Sequence, residues 1–143
     1  MEVHEKAGTH GHALQLVVVT PEATVLEETA EFVALPLFDG EIGIAPLHSP
    51  MIGRLGFGEM RIKRQGRIER YYVDGGFVQV IDDVVSVLTG RAVPAANLKA
   101  KVAEEQLAEA RQRVANTPET LALRERAEQQ ARAQLRVARH AGV

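Results

Sequence analysis

The stretch GEMRIKRQGRIERYYV, residues 58–73, decides the fold class because it has the pattern of two strands joined by a tight turn. Apolar Met60 and Ile62 alternate with basic neighbours, as expected for a strand with one buried and one exposed face. Gln65-Gly66 is a turn signal, and residues 67–73 resume the strand pattern beyond it. The stretch therefore predicts an antiparallel β-hairpin.

Further strand patterns lie on both sides of this hairpin, at intervals of about 8–12 residues that suit antiparallel sandwiches and barrels. Residues 14–20 are apolar and β-branched and end at Pro21, and Asp39-Gly40 is a strong turn dipeptide. Gly75-Gly76 breaks a later run. These connections are too short for the crossovers that parallel strands need. Residues 13–92 therefore predict an all-β head, either a sandwich or a barrel.

The composition changes after Pro94, where alanine, glutamate, glutamine, arginine and leucine dominate. Residues 93–143 predict a C-terminal antiparallel α-helical hairpin, with a stop and restart at Thr117-Pro118. Each helix carries an apolar face at helical spacing: Ala103, Leu107, Ala110 and Val114, then Leu121, Ala127, Ala131, Leu135 and Ala138. Alanine buries little apolar area, so we expect this hairpin to be the most mobile part. A hairpin permanently packed on the head stays open as an alternative.

Composition excludes several classes of protein. The 143 residues are 45% hydrophobic and 25% charged, as in ordinary globular proteins. No apolar run reaches the ~18 residues of a membrane span, so we expect no direct membrane insertion. The absence of cysteine excludes disulfides and thiolate metal sites and fits a reducing cytoplasm. Residues 1–12 lack periodicity and predict a disordered N-terminal extension.

Charge is unevenly spread along the chain. Residues 1–97 carry eight basic and 13 acidic residues, whereas residues 98–143 carry nine basic and six acidic residues. A basic tail beside an acidic head indicates two surfaces with different partners. A solvated helix face on which arginine and glutamate side chains pair locally would also explain the basic charge of residues 98–143.

Candidate catalytic features are few, which argues against an enzyme. His48 is the one histidine of the predicted head, and a nucleophile–base pair with Ser49 would also need an orienting carboxylate. Asp82 and Asp83 are neighbours on a predicted turn and are interpreted as solvated turn residues. The glycines of residues 53–58 (GRLGFG) match neither a dinucleotide-binding nor a P-loop spacing. We expect no catalytic residue, no cofactor and no metal.

Some features of the sequence fit other classes of function. The basic hairpin with Tyr71 and Tyr72 would suit single-stranded nucleic acid, but the acidic charge of the head disfavours a nucleic-acid partner. A free-standing β-sandwich binding module with a helical tail and a small hydrolase that uses His48 stay open as alternatives.

The stretch GEIGIAPLHSP, residues 40–50, resembles the signature of the epsilon subunit of F-type ATP synthases: Gly-Glu-aliphatic-Gly-aliphatic, then Pro, then His-x-Pro. Leu47 stands where that family often has glycine, so we expect a different local turn. VDGGFVQV at residues 73–80 resembles a second family hallmark, and AQLRV at residues 133–137 resembles its second C-terminal helix.

The resemblance implies a ten-stranded β-sandwich head, a two-helix C-terminal domain and a non-catalytic place in the central stalk. The implied partners are the gamma subunit, the ring of c subunits and, through the C-terminal helices, the beta subunit. It also implies that the stalk turns with the ring and that the helices can inhibit ATP hydrolysis. The implied location is peripheral, on the cytoplasmic face of the inner (plasma) membrane.

The resemblance also implies contact residues. Glu41 and His48 match family residues that face the polar loops of the c ring. Simple exposure would also explain Glu41, and Pro46 and Pro50 would explain the loop around His48. The second helix is basic, and contact with an acidic segment of the beta subunit is implied for Arg124, Arg126, Arg132 and Arg136.

Some family members bind ATP through an Ile/Leu-Asp-x-x-Arg-Ala stretch early in the first helix. The matching stretch here is LKAKVA, residues 98–103, in which Lys99 replaces the aspartate and Val102 replaces the arginine. The carboxylate acceptor and the planar guanidinium are both missing, and Lys101 is a poor geometric substitute. The sequence therefore predicts weak or no specific ATP binding.

Overall fold

The computed structural model describes residues 13–141, in which eight strands precede two α-helices. The extension predicted at residues 1–12 lies outside the described residues. A 3-10 turn at Ala95–Asn97 leads into the helices α1 (Ala100–Arg111) and α2 (Pro118–Ala141). The strands are β1 (Leu14–Val19), β2 (Thr24–Ala30), β3 (Phe32–Leu37), β4 (Gly40–Ile44), β5 (Met51–Arg64), β6 (Arg67–Ile81), β7 (Val84–Leu88) and β8 (Ala92–Pro94).

The predicted hairpin of residues 58–73 is confirmed and forms the centre of the sheet. β5 and β6 pair antiparallel along almost their whole length, and the turn residues Gln65 and Gly66 have positive φ. The strand order is β2-β1-β7-β6-β5-β3-β4, with β8 also paired to β6. Every pair is antiparallel except β1 with β7.

The sheet folds back on itself, which confirms the β-sandwich. Leu16 of β1 and Val33 of β3 lie in one fully buried cluster, although these strands are far apart in the strand order. Where the sheet closes, Nε of Arg64 at the end of β5 donates to the carbonyl oxygen of Thr29 in β2 at 3.0 Å. Period-two alternation sends one face of each strand into this shared core.

Two long strands replace several shorter ones, so the described residues contain eight strands where the family resemblance implied ten. Gly75-Gly76 does not end β6, because Leu55 pairs with Gly76 and Phe57 pairs with Asp74 in an unbroken register. Both glycines have positive φ, and a β-carbon on Gly76 would collide with a backbone carbonyl at the end of β7. Glycine therefore lets β5 and β6 continue from one layer into the other.

The glycines of residues 53–58 serve strand packing. A β-carbon on Gly56 would lie 2.8 Å from the Leu37 carbonyl oxygen, and one on Gly58 would lie 3.0 Å from the Pro36 side chain. These glycines lie within β5 rather than between a strand and a helix, so they let β3 approach β5 closely.

The C-terminal helical hairpin is also confirmed. Ala103 and Leu107 of α1 pack on Ala131 and Leu135 of α2. The predicted N-cap is present, since the Thr117 hydroxyl accepts from the backbone N–H three residues later at 3.1 Å. None of the helices in residues 13–141 has the length and hydrophobicity needed to span a bilayer. The division predicted between residues 92 and 93 stays a prediction, and β8 lies across it.

Two residues that were expected on the buried apolar faces of the hairpin, Val114 and Leu121, are exposed, so the prediction is wrong for both. Val114 lies beyond the end of α1 and is 66% exposed, and Leu121 in the first turns of α2 is 42% exposed. The reason is a difference in length: α1 has 12 residues and α2 has 24. The first turns of α2 extend past α1 and have no helix to pack against.

A half-buried carboxylate lies where the sheet closes. Glu28 of β2 is 3.6 Å from the Arg64 guanidinium, which also binds Glu69 at 3.2 Å and the Thr29 carbonyl oxygen at 3.0 Å. The second carboxylate oxygen of Glu28 is buried and has no hydrogen-bond partner among the described residues. Burial, followed by the neighbouring Glu69 carboxyl, raises the pKa of Glu28.

We expect Glu28→Gln to raise the melting temperature near pH 7 and to change it little near pH 4. Because the folded-state pKa of Glu28 is raised, the stability linked to its protonation is complete below the ordinary carboxyl value of about 4.3. That stability is lost as pH rises through the raised value. Glutamine resembles the protonated form and retains the stability at neutral pH.

Thermal unfolding followed by circular dichroism at both pH values measures this difference. Glu27→Gln is the matched control, since Glu27 is exposed on the same strand. Equal gains in the two variants, or a lower melting temperature for Glu28→Gln near pH 7, would contradict the interpretation.

Candidate functional site

One layer of the sandwich has an apolar outer surface that no described segment covers. Ile52, Phe77, Ile81 and Leu88 are 74%, 57%, 45% and 54% exposed. Phe77 of β6 pairs with Leu88 of β7. Ile52 of β5 pairs with Gln79, which lies between Phe77 and Ile81 on β6. We call these four apolar side chains the outer apolar face. They occupy the strand positions that alternate with core residues.

The other layer is covered by α2. Tyr72 of β6 is completely buried there and packs with Ala133 and Val137. Phe57 lies at the margin of this cluster, with the Arg126 guanidinium 5.2 Å from its ring centroid. Since alanines supply part of this contact, apolar burial is small and polar contacts matter for docking.

Asp74 is a polar anchor beneath α2. Its carboxylate accepts hydrogen bonds from the Tyr72 hydroxyl at 2.6 Å and from the Gln130 side-chain amide at 3.1 Å. Its backbone N–H donates to the Thr89 hydroxyl at 2.9 Å. Burial, and then the hydrogen bond to Asp74, raise the pKa of Tyr72, so this hydroxyl stays a donor. The anchor joins the head to the middle of α2.

A row of charged side chains joins the edge strand β4 to the end of α2. Glu41 binds Arg61 through both carboxylate oxygens, at 3.1 and 3.2 Å, and Arg61 also lies 3.5 Å from Glu59. Glu59 accepts from Arg70 at 3.1 Å and lies 3.1 Å from Nδ1 of His140. The hydrogen bond to Glu41 raises the pKa of Arg61. We call these five residues the charged seam.

The loop of residues 45–50 carries the predicted contact residue His48. Its Nδ1 atom lies 2.7 Å from the Ser49 carbonyl oxygen. Leu47 has a φ of 67° and is 71% exposed, and its N–H donates to the Asp83 carboxylate at 2.6 Å. Leucine therefore adopts the left-handed conformation that glycine favours, and Asp83 holds the loop in place.

The structure separates the two predicted ring-contact residues. Glu41 lies near the start of β4 and belongs to the charged seam, whereas His48 lies in the loop that follows β4. Among the described residues there is no hydrogen bond between them.

The four predicted arginines of α2 have different environments. Arg124 and Arg132 bind Glu128 on their own helix, at 3.2 and 3.3 Å. Arg126 stacks on the head through Phe57. Arg136 lines a cleft of about 600 Å³ between α2 and the strands, together with residues of the charged seam. Arg126 and Arg136 thus lie against the head, whereas Arg124 and Arg132 bind a glutamate of their own helix.

The described residues show no catalytic constellation. In residues 13–141, no three His, Cys, Asp or Glu side chains lie together as a metal site would need. The His48 ring contacts a carbonyl oxygen rather than the Ser49 hydroxyl. In the basic hairpin, Arg61, Arg64 and Arg70 each lie within 4 Å of a carboxylate, which leaves fewer free cations for a phosphate backbone.

Sequence reasoning missed three carboxylates that organise these surfaces: Glu59, Asp74 and Asp83. The sequence predicts Asp83 to be a solvated turn residue, and this prediction is wrong because its carboxylate binds the loop that carries His48. Asp74 directly follows the run Tyr71–Val73 in the middle of β6, and a carboxylate at such a position is a signal that the sequence does contain. Nothing in the sequence near Glu59 indicates that a residue of α2 reaches it.

Comparisons with known proteins agree with the fold. The family model described as ATP synthase, Delta/Epsilon chain, beta-sandwich domain matches residues 13–95. The ATP synthase epsilon chain of Rhodopirellula baltica is 51% identical over 127 residues, which cover 89% of this chain and 99% of that protein. The chain belongs to the ATP synthase epsilon family.

Other relatives of this epsilon-family chain are more distant. The ATP synthase epsilon chain of Nitratidesulfovibrio vulgaris is 35% identical over 127 residues, covering 87% of this chain and 95% of that one. A chain from the Euglena gracilis mitochondrial ATP synthase OSCP/F1/c-ring structure superposes with a TM-score of 0.77 at 22% identity, covering 91% and 81% of the two chains. A chain from the Tetrahymena thermophila mitochondrial ATP synthase central stalk/c-ring structure superposes with a TM-score of 0.70 at 12% identity. The match covers 87% of this chain and 96% of that one.

The positions of the family's ATP motif lie at the start of α1. Lys99 is the N-cap residue of α1 and makes no side-chain capping hydrogen bond. Val102 is 45% exposed in the first turn. An ammonium group and an isopropyl group therefore stand where a carboxylate and a guanidinium would be needed.

We expect the full-length chain to show no saturable binding of Mg-ATP up to about 1 mM in isothermal titration calorimetry. The physical reason is the loss of both polar groups of the motif. The double variant Lys99→Asp, Val102→Arg restores those groups and is expected to bind more tightly than the native chain. A micromolar dissociation constant for the native chain would refute this prediction.

Proposed function

We propose that this epsilon-family chain is a non-catalytic central-stalk subunit that couples c-ring rotation to the catalytic head of the proton-translocating ATP synthase through the gamma subunit. The outer apolar face carries the proposal. Contiguous apolar side chains left uncovered on a small protein mark a contact with another protein. The similar chains of known fold come from assemblies described as F1/c-ring and central stalk/c-ring.

The gamma subunit is the proposed partner of the outer apolar face. Three of the four side chains, Ile52, Phe77 and Leu88, are more than half exposed. Burying such side chains stabilises a complex by about 25 cal/mol per Å² of apolar area removed from water. Aromatic residues such as Phe77 are also common among the residues that dominate binding energy.

The construction of the head suits a part that transmits rotation. β5 and β6 have 14 and 15 residues, and they contribute to both layers of the sandwich. A load applied to one layer therefore reaches the other through continuous backbone rather than through side-chain contacts alone. A part of this kind needs stiffness and adhesive surfaces, and no reaction centre is needed for it.

The c ring is the second proposed partner, through Glu41 and His48. The Glu41 side chain remains 53% exposed while it binds Arg61, so a basic side chain of a partner can still approach it. Hydrogen bonds to a charged acceptor are about twice as strong as neutral ones. His48 lies in the loop that Asp83 holds through Leu47.

The beta subunit is the third proposed partner, through α2, and the proposed outcome of that contact is inhibition of ATP hydrolysis. The described hairpin is docked on the head through a small apolar cluster, the Asp74 anchor and the charged seam. An element held by few contacts can dock and release. In the released state Arg126 and Arg136 would be free to meet an acidic segment. The proposed location is peripheral, on the cytoplasmic face of the inner (plasma) membrane.

Replacing two residues of the outer apolar face tests stalk binding. We expect Phe77→Glu with Leu88→Glu to weaken binding to a synthase complex that lacks epsilon by at least about tenfold, because both charges would lose water in the interface. Surface plasmon resonance on the full-length chain measures the affinity, and circular dichroism verifies the fold.

Ile68→Glu is the control for this experiment, since Ile68 is 53% exposed on β6 but lies outside the outer apolar face. Native affinity in the double variant would contradict the assignment of this face to the gamma subunit.

Charge reversal on α2 tests inhibition. We expect Arg126→Glu, Arg132→Glu and Arg136→Glu together to raise ATP hydrolysis by the assembled enzyme about fivefold, within the usual range of regulatory coupling. The reason is repulsion between the new carboxylates and the acidic segment. A steady-state ATPase assay measures the rate, with Arg111→Glu on α1 as the control. Unchanged hydrolysis in the triple variant would count against an inhibitory role.

A further inference from the structure

We propose that Arg61 is a switch residue shared between the partner contact of Glu41 and the docking of α2, so that a partner engaging Glu41 promotes release of the hairpin. The inference rests on the proposed contact of Glu41 with a neighbouring subunit. In this proposal, the head itself links a partner's contact with Glu41 to whether the hairpin is docked or released.

Arg61 lies between an exposed and a covered carboxylate. Its contact with Glu41 is bidentate, at 3.1 and 3.2 Å, whereas its contact with Glu59 is a single longer one of 3.5 Å. The Glu41 side chain is 53% exposed and the Glu59 side chain is 11% exposed. A partner can therefore reach Glu41 directly, but it cannot reach Glu59 while α2 is docked.

Glu59 is the head's charged contact with the end of α2. One of its oxygens accepts from Arg70 at 3.1 Å, and the other lies 3.1 Å from Nδ1 of His140. Among the described residues this is the contact that holds the last turn of α2 to β5 by hydrogen bonding. Any group that competes for this oxygen weakens the docking of that turn.

When a partner draws Glu41 away from Arg61, two effects both favour release of the hairpin. The Arg61 guanidinium contacts the Glu59 oxygen that also binds Arg70; once it loses its bidentate partner it can reach the other oxygen, where it competes with His140. The balance of charge also changes, because the strands then present Arg61 and Arg70 against a single carboxylate. The facing end of α2 is itself basic, and Arg136 and His140 line the same cleft as Arg61. Both competition and repulsion therefore favour release of the hairpin.

This switch predicts opposite effects on hairpin opening when the Glu41 charge or the Arg61 charge is removed, whereas simple loss of their ion pair predicts the same effect for both. Removing the Glu41 charge leaves the seam more positive and should open the hairpin. Removing the Arg61 charge leaves it more negative, which removes the competitor of His140 and attracts the basic end of α2. If the ion pair acted only as a structural brace, both substitutions would loosen the hairpin alike.

The test measures hairpin opening in the isolated full-length chain. The native sequence contains no cysteine, so Ala133→Cys introduces a single thiol on the face of α2 that packs on Tyr72 of the head, at a position that is 1% exposed. The rate of labelling by a thiol reagent then reports how often α2 leaves the head. Glu41→Gln, Arg61→Gln and their combination are made on this background, and thermal unfolding verifies that each variant is folded.

We expect Glu41→Gln to raise the labelling rate about two- to fivefold, a modest factor because partly exposed ion pairs contribute little each. Arg61→Gln is expected to leave the rate unchanged or to lower it, and the double variant is expected to return towards the native rate. Glu104→Gln is the control: it removes an ion pair of 3.0 Å with Arg139 inside the hairpin and should have no effect.

A folded Glu41→Gln variant with the native labelling rate would overturn the proposal, as would equal opening in Glu41→Gln and Arg61→Gln. The experiment contains no partner subunit, so its result does not depend on stalk binding. Failure of the native chain to bind a synthase complex would reject the proposed function instead, and the two failures are distinguishable.

Discussion

The pairing of β5 with β6 is the constraint on which the rest of the structure depends. These two strands run through both layers of the sandwich, and the bend at Gly75-Gly76 keeps their register intact. One part of the pair presents Ile52 and Phe77 to the outside, and the other part presents Glu59 and Tyr72 to α2. The proposed stalk contact and the hairpin-docking surface therefore share one backbone framework.

Local sequence patterns were enough to predict the architecture. Alternation around Met60 and Ile62 predicts the central hairpin, and the start of α2 is confirmed because the Thr117 cap acts over only three residues. The errors concern length. The apolar spacing around Val114 extends α1 too far, because helical periodicity carries no information about where a short connection must bend towards Pro118.

The contacts of the site could not be predicted in the same way. The charged seam brings together residues from β4, β5, β6 and the end of α2, and Glu59 lies 81 positions from His140 in the chain. Periodicity places such residues on a face of one element, but it does not say which other element packs there. The contact roles of Glu41, His48 and the α2 arginines accordingly stay predictions, although the structure gives each a defined environment.

The alanines between the two helices have a geometric consequence. Small side chains let helix axes approach towards the lower end of the usual range of about 8–10 Å. Ala103, Ala110 and Ala131 are almost completely buried at or near this contact. The helical pair is therefore slender for its length, and its longer member ends in turns that stand clear of its neighbour. In the released state proposed above, an element of this form would need less room between its neighbours than a pair of helices packed through larger side chains.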